Sequence, residues 1–222
     1  MGEWIRLKAS DGHSFDGYKA SPSGKPRGGL VVIQEIFGVN ENIRRYCDSF
    51  AAEGYVALAP ALFDRDKSKI ELGYTAETVA QGREIRARVG WDGPIGDVEA
   101  ACAALKGAGK LGVTGYCWGG SLAWVAACRF KPACAVGYYG GQIIQFVDET
   151  PTCPVMLHFG EKDANIPLSD VDTIRAKHPK VPIHVYEGAG HGFDCELRKD
   201  FHPMSSKLAR ERTRAFFAQH IG

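Results

Sequence analysis

Starting near residue 29, apolar positions along the chain fall into short continuous runs separated by segments where they recur every three or four residues. "GGLVVIQE" (28–35) is an unbroken β-branched run, the pattern of a strand covered on both faces. "NENIRRYCDSFAAEG" follows, with Asn40 as a cap and Gly54 closing it, and predicts a helix. "YVALAP" predicts the next strand, stopped by Pro60. The stretch 62–90 is more polar and ambiguous; within it "TAETVAQGREIRARVG" predicts a helix weakened at Gly82. "GPIGDVEAACAALKGAG" (93–109) predicts a clearer helix, with Pro94 near its first turn and glycines after its last. The strand "KLGVTGY", a helix from Gly119 to Phe130 and the strand "ACAVGYYG" come next. "CPVMLHFG", a helix near "LSDVDTIRAKH" and "PIHVYEG" continue the alternation. A final amphipathic helix is predicted from about Pro203 to His220.

Strands alternating with helices predict an α/β domain, a mostly parallel sheet with helices on both faces. The chain shows no internal repeat, low-complexity segment or long linker, so residues 1–222 are expected to form one domain. In sheets of this kind reactive groups gather beyond the carboxyl ends of the strands. Candidate catalytic residues should therefore follow strands, in separate loops.

Composition narrows the class. A hydrophobic content of 45% with 24% charged residues is that of a globular protein. A net charge of +1 offers no electrostatic reason to expect nucleic acid or an anionic membrane as a partner. No apolar run reaches the roughly 18 residues of a spanning helix, and "MGEWIRLKASDGHSF" lacks a signal-peptide core. The seven cysteines (47, 102, 117, 128, 134, 153 and 195) are odd in number and contain no CxxC pair. That is a reduced, cytoplasmic pattern, without disulfide framework or zinc-ribbon spacing. HExxH, P-loop and GxGxxG signatures are absent, so neither a metal nor a cofactor is expected.

Four positions pass the test of following a strand. "GYCWGG" (115–120) reads G-x-C-x-G, the pattern of a nucleophile elbow with cysteine in place of serine. Cys117 is then either a nucleophile, aided by the N-terminus of the next helix, or a small apolar filler in a glycine-rich turn. His191 closes the last strand in "YEGAGHGF", between glycines, whereas His158 and His184 lie inside strands and read as structural. Asp163 follows "CPVMLHFG" and is the best orienting acid; Glu161 reads as solvated, Asp170 and Asp172 as surface charge. The order Cys117, Asp163, His191 is that of α/β-hydrolases. Glu35 closes an apolar strand, where a carboxylate needs a partner; it is either a base for the Cys117 thiol or a solvated loop residue. The N–H groups of Ile36 and Trp118 would form an oxyanion hole.

With "QEIFGVN", "GYCWGG", "AVGYYG", "GEKDANIP", "GAGHGF" and "ERTRAFF", the chain resembles the dienelactone hydrolases (carboxymethylenebutenolidases) from about residue 10 to 219. The resemblance implies an α/β-hydrolase fold without a large cap and a triad of Cys117, Asp163 and His191, with Glu35 helping to activate the thiol. It also implies a small ester or lactone substrate. Family members hold a substrate carboxylate with two arginines, one four residues after the histidine. Here that position is Cys195, with Arg198 further on, and Val79 stands at the other position, with Arg83 and Arg86 beyond it. Arg83, Phe37 and Arg198 are the candidate substrate contacts, and a weakened preference for anionic lactone is expected. A monomer is expected. A cysteine amidohydrolase is the nearest enzymatic alternative, but its usual glutamate two residues after the histidine is replaced by Phe193. An inactive hydrolase fold that binds ligand is the other alternative.

Overall fold

The computed structural model describes residues 2–222. Its strands are β1 (Glu3–Lys8), β2 (Ser14–Ala20), β3 (Gly28–Ile33), β4 (Tyr55–Pro60), β5 (Leu111–Tyr116), β6 (Cys134–Tyr138), β7 (Val155–Gly160) and β8 (Ile183–Tyr186). The helices are α1 (Glu41–Ala52), α2 (Ala76–Val89), α3 (Asp92–Ala104), α4 (Trp118–Arg129), α5 (Leu168–Lys177) and α6 (Pro203–Ile221). One eight-stranded sheet runs in the order β1-β2-β4-β3-β5-β6-β7-β8. All pairings from β4 to β8 are parallel; β1 and β2 add an antiparallel edge.

The β1–β2 hairpin precedes the region where the sequence predicts alternation. Most of β1 faces solvent, so it lacks the apolar run that marks the buried strands. Every residue of β3 and β4, by contrast, is buried. Where helices were expected they form, with caps that the sequence explains. The Asn40 side chain accepts from the Ile43 N–H at 3.3 Å, and the Thr75 hydroxyl accepts from the Thr78 N–H at 3.2 Å. Gly54 takes a positive φ of 98° at the end of α1.

Aromatic residues in register line one side of the sheet across its centre. Tyr116 pairs with Tyr138, Tyr138 with His158, and His158 with His184. His158 is fully buried, its ring nitrogens 2.8 Å from the Tyr186 hydroxyl and 3.1 Å from Thr213 Oγ1. Burial, with the neighbouring His184 and Arg212, pushes its pKa well down, so it stays neutral and structural.

The chain leaves β3 to one side to make β4 and returns on the other side to make β5. That reversal opens a crevice at the carboxyl ends of β3 and β5, where α/β sheets bind ligands.

Candidate functional site

Cys117 stands at this crevice, between the end of β5 and the first residue of α4. Its backbone is held at φ 56° and ψ −118°, a conformation that L-residues rarely adopt. The neighbouring glycines make the turn sterically possible. A Cβ on Gly115 would lie 1.9 Å from the Gly119 carbonyl oxygen, and one on Gly119 would lie 2.5 Å from that of Gln34. The Cys117 N–H donates to the Tyr138 carbonyl at 2.9 Å, tying the turn to β6. The sulfur is left partly exposed over the start of α4, whose free N–H groups carry partial positive charge.

His191 Nε2 lies 3.1 Å from Cys117 Sγ, and its Nδ1 lies 2.7 Å from Asp163 Oδ2. The other carboxylate oxygen of Asp163 accepts the Asn165 N–H at 2.8 Å, which fixes the side chain from its own turn. Sulfur, imidazole and carboxylate thus form one hydrogen-bonded line drawn from the loops after β5, β8 and β7. Burial alone would lower the pKa of His191. The facing Cys117 sulfur and the Asp163 carboxylate outweigh it and raise the value to about 10.

Glu35 reaches the same crevice with a different partner from the one expected. Its carboxylate is 1% exposed, and Oε1 accepts from Arg198 Nη1 at 3.0 Å, while Oε2 has no partner. Arg198 is thus the partner of the Glu35 carboxylate, and His191 that of the sulfur. Burial pushes the Glu35 pKa up, and Arg198 and His191 offset this in part. The Arg198 guanidinium also stacks 5.8 Å from the Phe37 ring centroid and 6.0 Å from that of Tyr74.

A cleft of about 130 Å³ opens over Cys117. Ile36, Phe37 and Trp118 line it, as do Arg83, Arg86 and Arg198. Neither the Ile36 nor the Trp118 N–H is used by a loop or turn hydrogen bond among the described residues. Trp118 is fully buried, and its indole stacks on Phe63 with ring centroids 5.9 Å apart. Cys195 is fully buried and does not line the cleft; Arg198, three residues on, does. Arg86 lies over the Trp91 ring at 5.2 Å, and neither it nor Arg83 has a carboxylate partner among the described residues.

Gly82 explains itself here. A Cβ at this position would lie 2.1 Å from the Ile36 carbonyl oxygen, so the glycine that weakens α2 also lets that helix touch the loop after β3. Sequence reasoning missed Gln142, Asn165 and Ile166, which also line the cleft. Asn165 and Ile166 sit within two or three residues of Asp163, and that proximity was the only available signal. Among the described residues no group of three His, Cys, Asp or Glu side chains could hold a metal ion. No helix among the described residues is long and apolar enough to cross a membrane.

The model of the dienelactone hydrolase family matches residues 15–221. An Azospirillum brasilense protein provisionally assigned as a carboxymethylenebutenolidase is 36% identical over 232 residues, spanning 98% of this chain and 99% of its own. The carboxymethylenebutenolidase of Pseudomonas putida is 31% identical over 226 residues, covering 97% and 96%. A crystal structure from Klebsiella pneumoniae, provisionally named a dienelactone hydrolase, superposes with a TM-score of 0.85 at 29% identity over 99% of each chain.

Proposed function

The chain belongs to the dienelactone hydrolase family of α/β-hydrolases, and on that premise we propose that it cleaves small lactones and carboxylic esters through an acyl-enzyme on Cys117. The observation that carries this reading is the line Cys117 Sγ, His191, Asp163, at 3.1 and 2.7 Å. A sulfur hydrogen-bonded to an imidazole that a carboxylate orients is the arrangement that delivers a thiolate to an acyl carbon.

In this reading the thiolate attacks the acyl carbonyl, and the oxyanion is received by the N–H groups of Ile36 and Trp118. His191 then gives its proton to the departing alkoxide or enolate, leaving a thioester on Cys117. A water that loses its proton to His191 hydrolyses the thioester and restores the thiolate. Asp163 keeps the ring oriented and stabilises its charge throughout. Glu35 holds Arg198 at the cleft through Oε1. Sulfur is itself readily expelled from a tetrahedral intermediate, which suits esters with good leaving groups better than amides.

The cleft favours a compact substrate carrying a negative charge. Its volume is well below the roughly 300 Å³ at which drug-sized pockets begin. Arg83 and Arg86 are lining cations without a carboxylate partner, and Arg198 supplies the cation that position 195 lacks. Steady-state turnover of an aryl acetate, with intact-mass analysis after acid quench, tests the reading. An acyl adduct on Cys117, with turnover abolished in Cys117→Ala, is expected; undiminished turnover in that variant would sink it.

A further inference from the structure

His191 lies in a segment, 187–202, that contains no helix or strand, yet its imidazole must meet a sulfur from β5 and a carboxylate from β7 within tenths of an ångström. Such a loop needs anchors close to the histidine. Three residues on, Asp194 is fully buried and bonded through every acceptor atom it has. Its Oδ1 accepts from Ser206 Oγ at 2.7 Å and from Arg210 Nε at 2.8 Å. Its main-chain oxygen accepts from Arg210 Nη2 at 2.8 Å. The Tyr46 hydroxyl lies 2.8 Å from Oδ2 and 3.0 Å from the same main-chain oxygen. Ser206 and Arg210 belong to α6 and Tyr46 to α1, so two helices grip one residue of the loop.

Tyr46 has a second contact. Its ring stacks on Tyr116, with centroids 4.3 Å apart and planes 12° apart. Tyr116 is the last residue of β5 and immediately precedes Cys117. One side chain therefore touches both the strand that carries the sulfur and the loop that carries the imidazole. Nothing in the reaction itself uses Asp194 or Tyr46, and burying an aspartate is unfavourable unless its partners are worth it.

We propose that Asp194, gripped by Tyr46 and α6, is a positioning residue that holds the His191 loop in register with the Cys117 turn. This rests on the reading of Cys117 and His191 as the reacting pair. Removing the grip lets the imidazole wander from the sulfur, while the parts of the cleft drawn from the loop after β3, from α2 and from α4 stay in place; Arg198 moves with the loop, so a neutral ester, which needs no cation, is the substrate that isolates the imidazole. A misplacement approaching 1 Å lowers a rate about a hundredfold. The loss should therefore appear in kcat and leave KM alone.

The test compares Asp194→Ala, Asp194→Asn and Tyr46→Phe in turnover of 4-nitrophenyl acetate, with rates expressed per Cys117 thiol counted by iodoacetamide labelling and intact mass. Asp194→Ala should lower kcat by roughly 10- to 100-fold with KM within about twofold. Tyr46→Phe keeps the ring and its stacking on Tyr116, so it is the milder perturbation, and it should lower kcat about three- to tenfold. Asn at 194 retains an acceptor for α6 and should recover part of the loss. The double variant Tyr46→Phe/Asp194→Ala should be slower than Asp194→Ala by less than the Tyr46→Phe factor alone, because in Asp194→Ala the hydroxyl keeps only its contact with the main-chain oxygen. If Asp194→Ala does not fold, Tyr46→Phe decides. Rates per thiol within twofold of wild type in the folded variants, or a rise in KM without a fall in kcat, would overturn the proposal. Turnover that survives Cys117→Ala would instead overturn the reading of the site, whatever Asp194 does.

Discussion

Adding one methyl group to α2 at Gly82 should damage the chemistry more than the fold. The new Cβ of Gly82→Ala would stand 2.1 Å from the Ile36 carbonyl oxygen and 3.2 Å from its carbon. Carbon and oxygen come no closer than about 3.3 Å even in weak C–H···O contacts, so helix and loop must separate by about 1.2 Å. On the stability side, alanine gains up to about 1 kcal/mol of helix propensity over glycine, while overpacking costs about 1–3 kcal/mol. The net effect is a destabilisation of roughly 0–2 kcal/mol, small enough for the protein to fold. On the chemical side, the loop that moves carries the Ile36 N–H, one of two proposed oxyanion donors. Losing such a donor lowers kcat by about 10²–10³, or roughly 3–4 kcal/mol of transition-state stabilisation. Alkylation of Cys117 by iodoacetamide forms no oxyanion, so its rate reports the sulfur and imidazole alone. The assay pairs kcat for an aryl ester with the alkylation rate, and with Tm for stability. The expected result is a fall in kcat of about a hundredfold at an alkylation rate within about twofold of wild type. Turnover near wild type would show that the loop yields without moving its N–H. A parallel collapse of both rates would show that the whole site is disturbed, and either outcome refutes the reasoning.

Three further outcomes follow from the site's electrostatics. Burial raises the Glu35 pKa, so the folded state binds this proton more tightly than the unfolded chain. The resulting stability is fully present below the ordinary carboxylate value of about 4.3 and is lost as pH rises through the raised one. The Tm of Glu35→Gln minus that of wild type should therefore grow more positive from pH 4.5 to 7.5, with the unpaired Arg198 adding only a constant offset; a flat or falling difference contradicts this. In the proposed mechanism the His191 contact at 3.1 Å generates the Cys117 thiolate, so the thiolate absorbance near 240 nm should disappear in Cys117→Ala and drop sharply in His191→Asn. Retention of the full absorbance in His191→Asn would dissociate the imidazole from the thiolate. Finally, Arg86→Gln should lower kcat/KM for an anionic lactone about ten- to a hundredfold and leave that for a neutral aryl ester nearly unchanged, since one charge-assisted hydrogen bond is worth about 1.5–3 kcal/mol; equal losses on both substrates would mean that the cleft, and not the charge, was altered.

What the sequence determined by itself was whatever is encoded within a few neighbouring residues. The β-branched run 28–33, the Asn40 cap, the glycines around Cys117 and the positions of Asp163 and His191 after their strands all carry local signals. Each follows from steric and solvation rules that act along the chain, so fold class and candidate residues were legible before any coordinates. Side-chain pairing across the crevice was not. Glu35 and Arg198 are 163 positions apart, and only the path of the loop after β8 brings the guanidinium to the carboxylate that was expected to serve the thiol. The same path buries Cys195 and brings Arg198, a candidate from the sequence, to the cleft. Gly82 read as a defect in α2 because its purpose lies in a carbonyl 46 residues away. The grip of Tyr46 on Asp194 spans 148 positions and left no pattern in either segment. Contacts of this kind depend on strand order, register and the exit angle of each loop, and those are properties of the packed sheet, not of any stretch of chain.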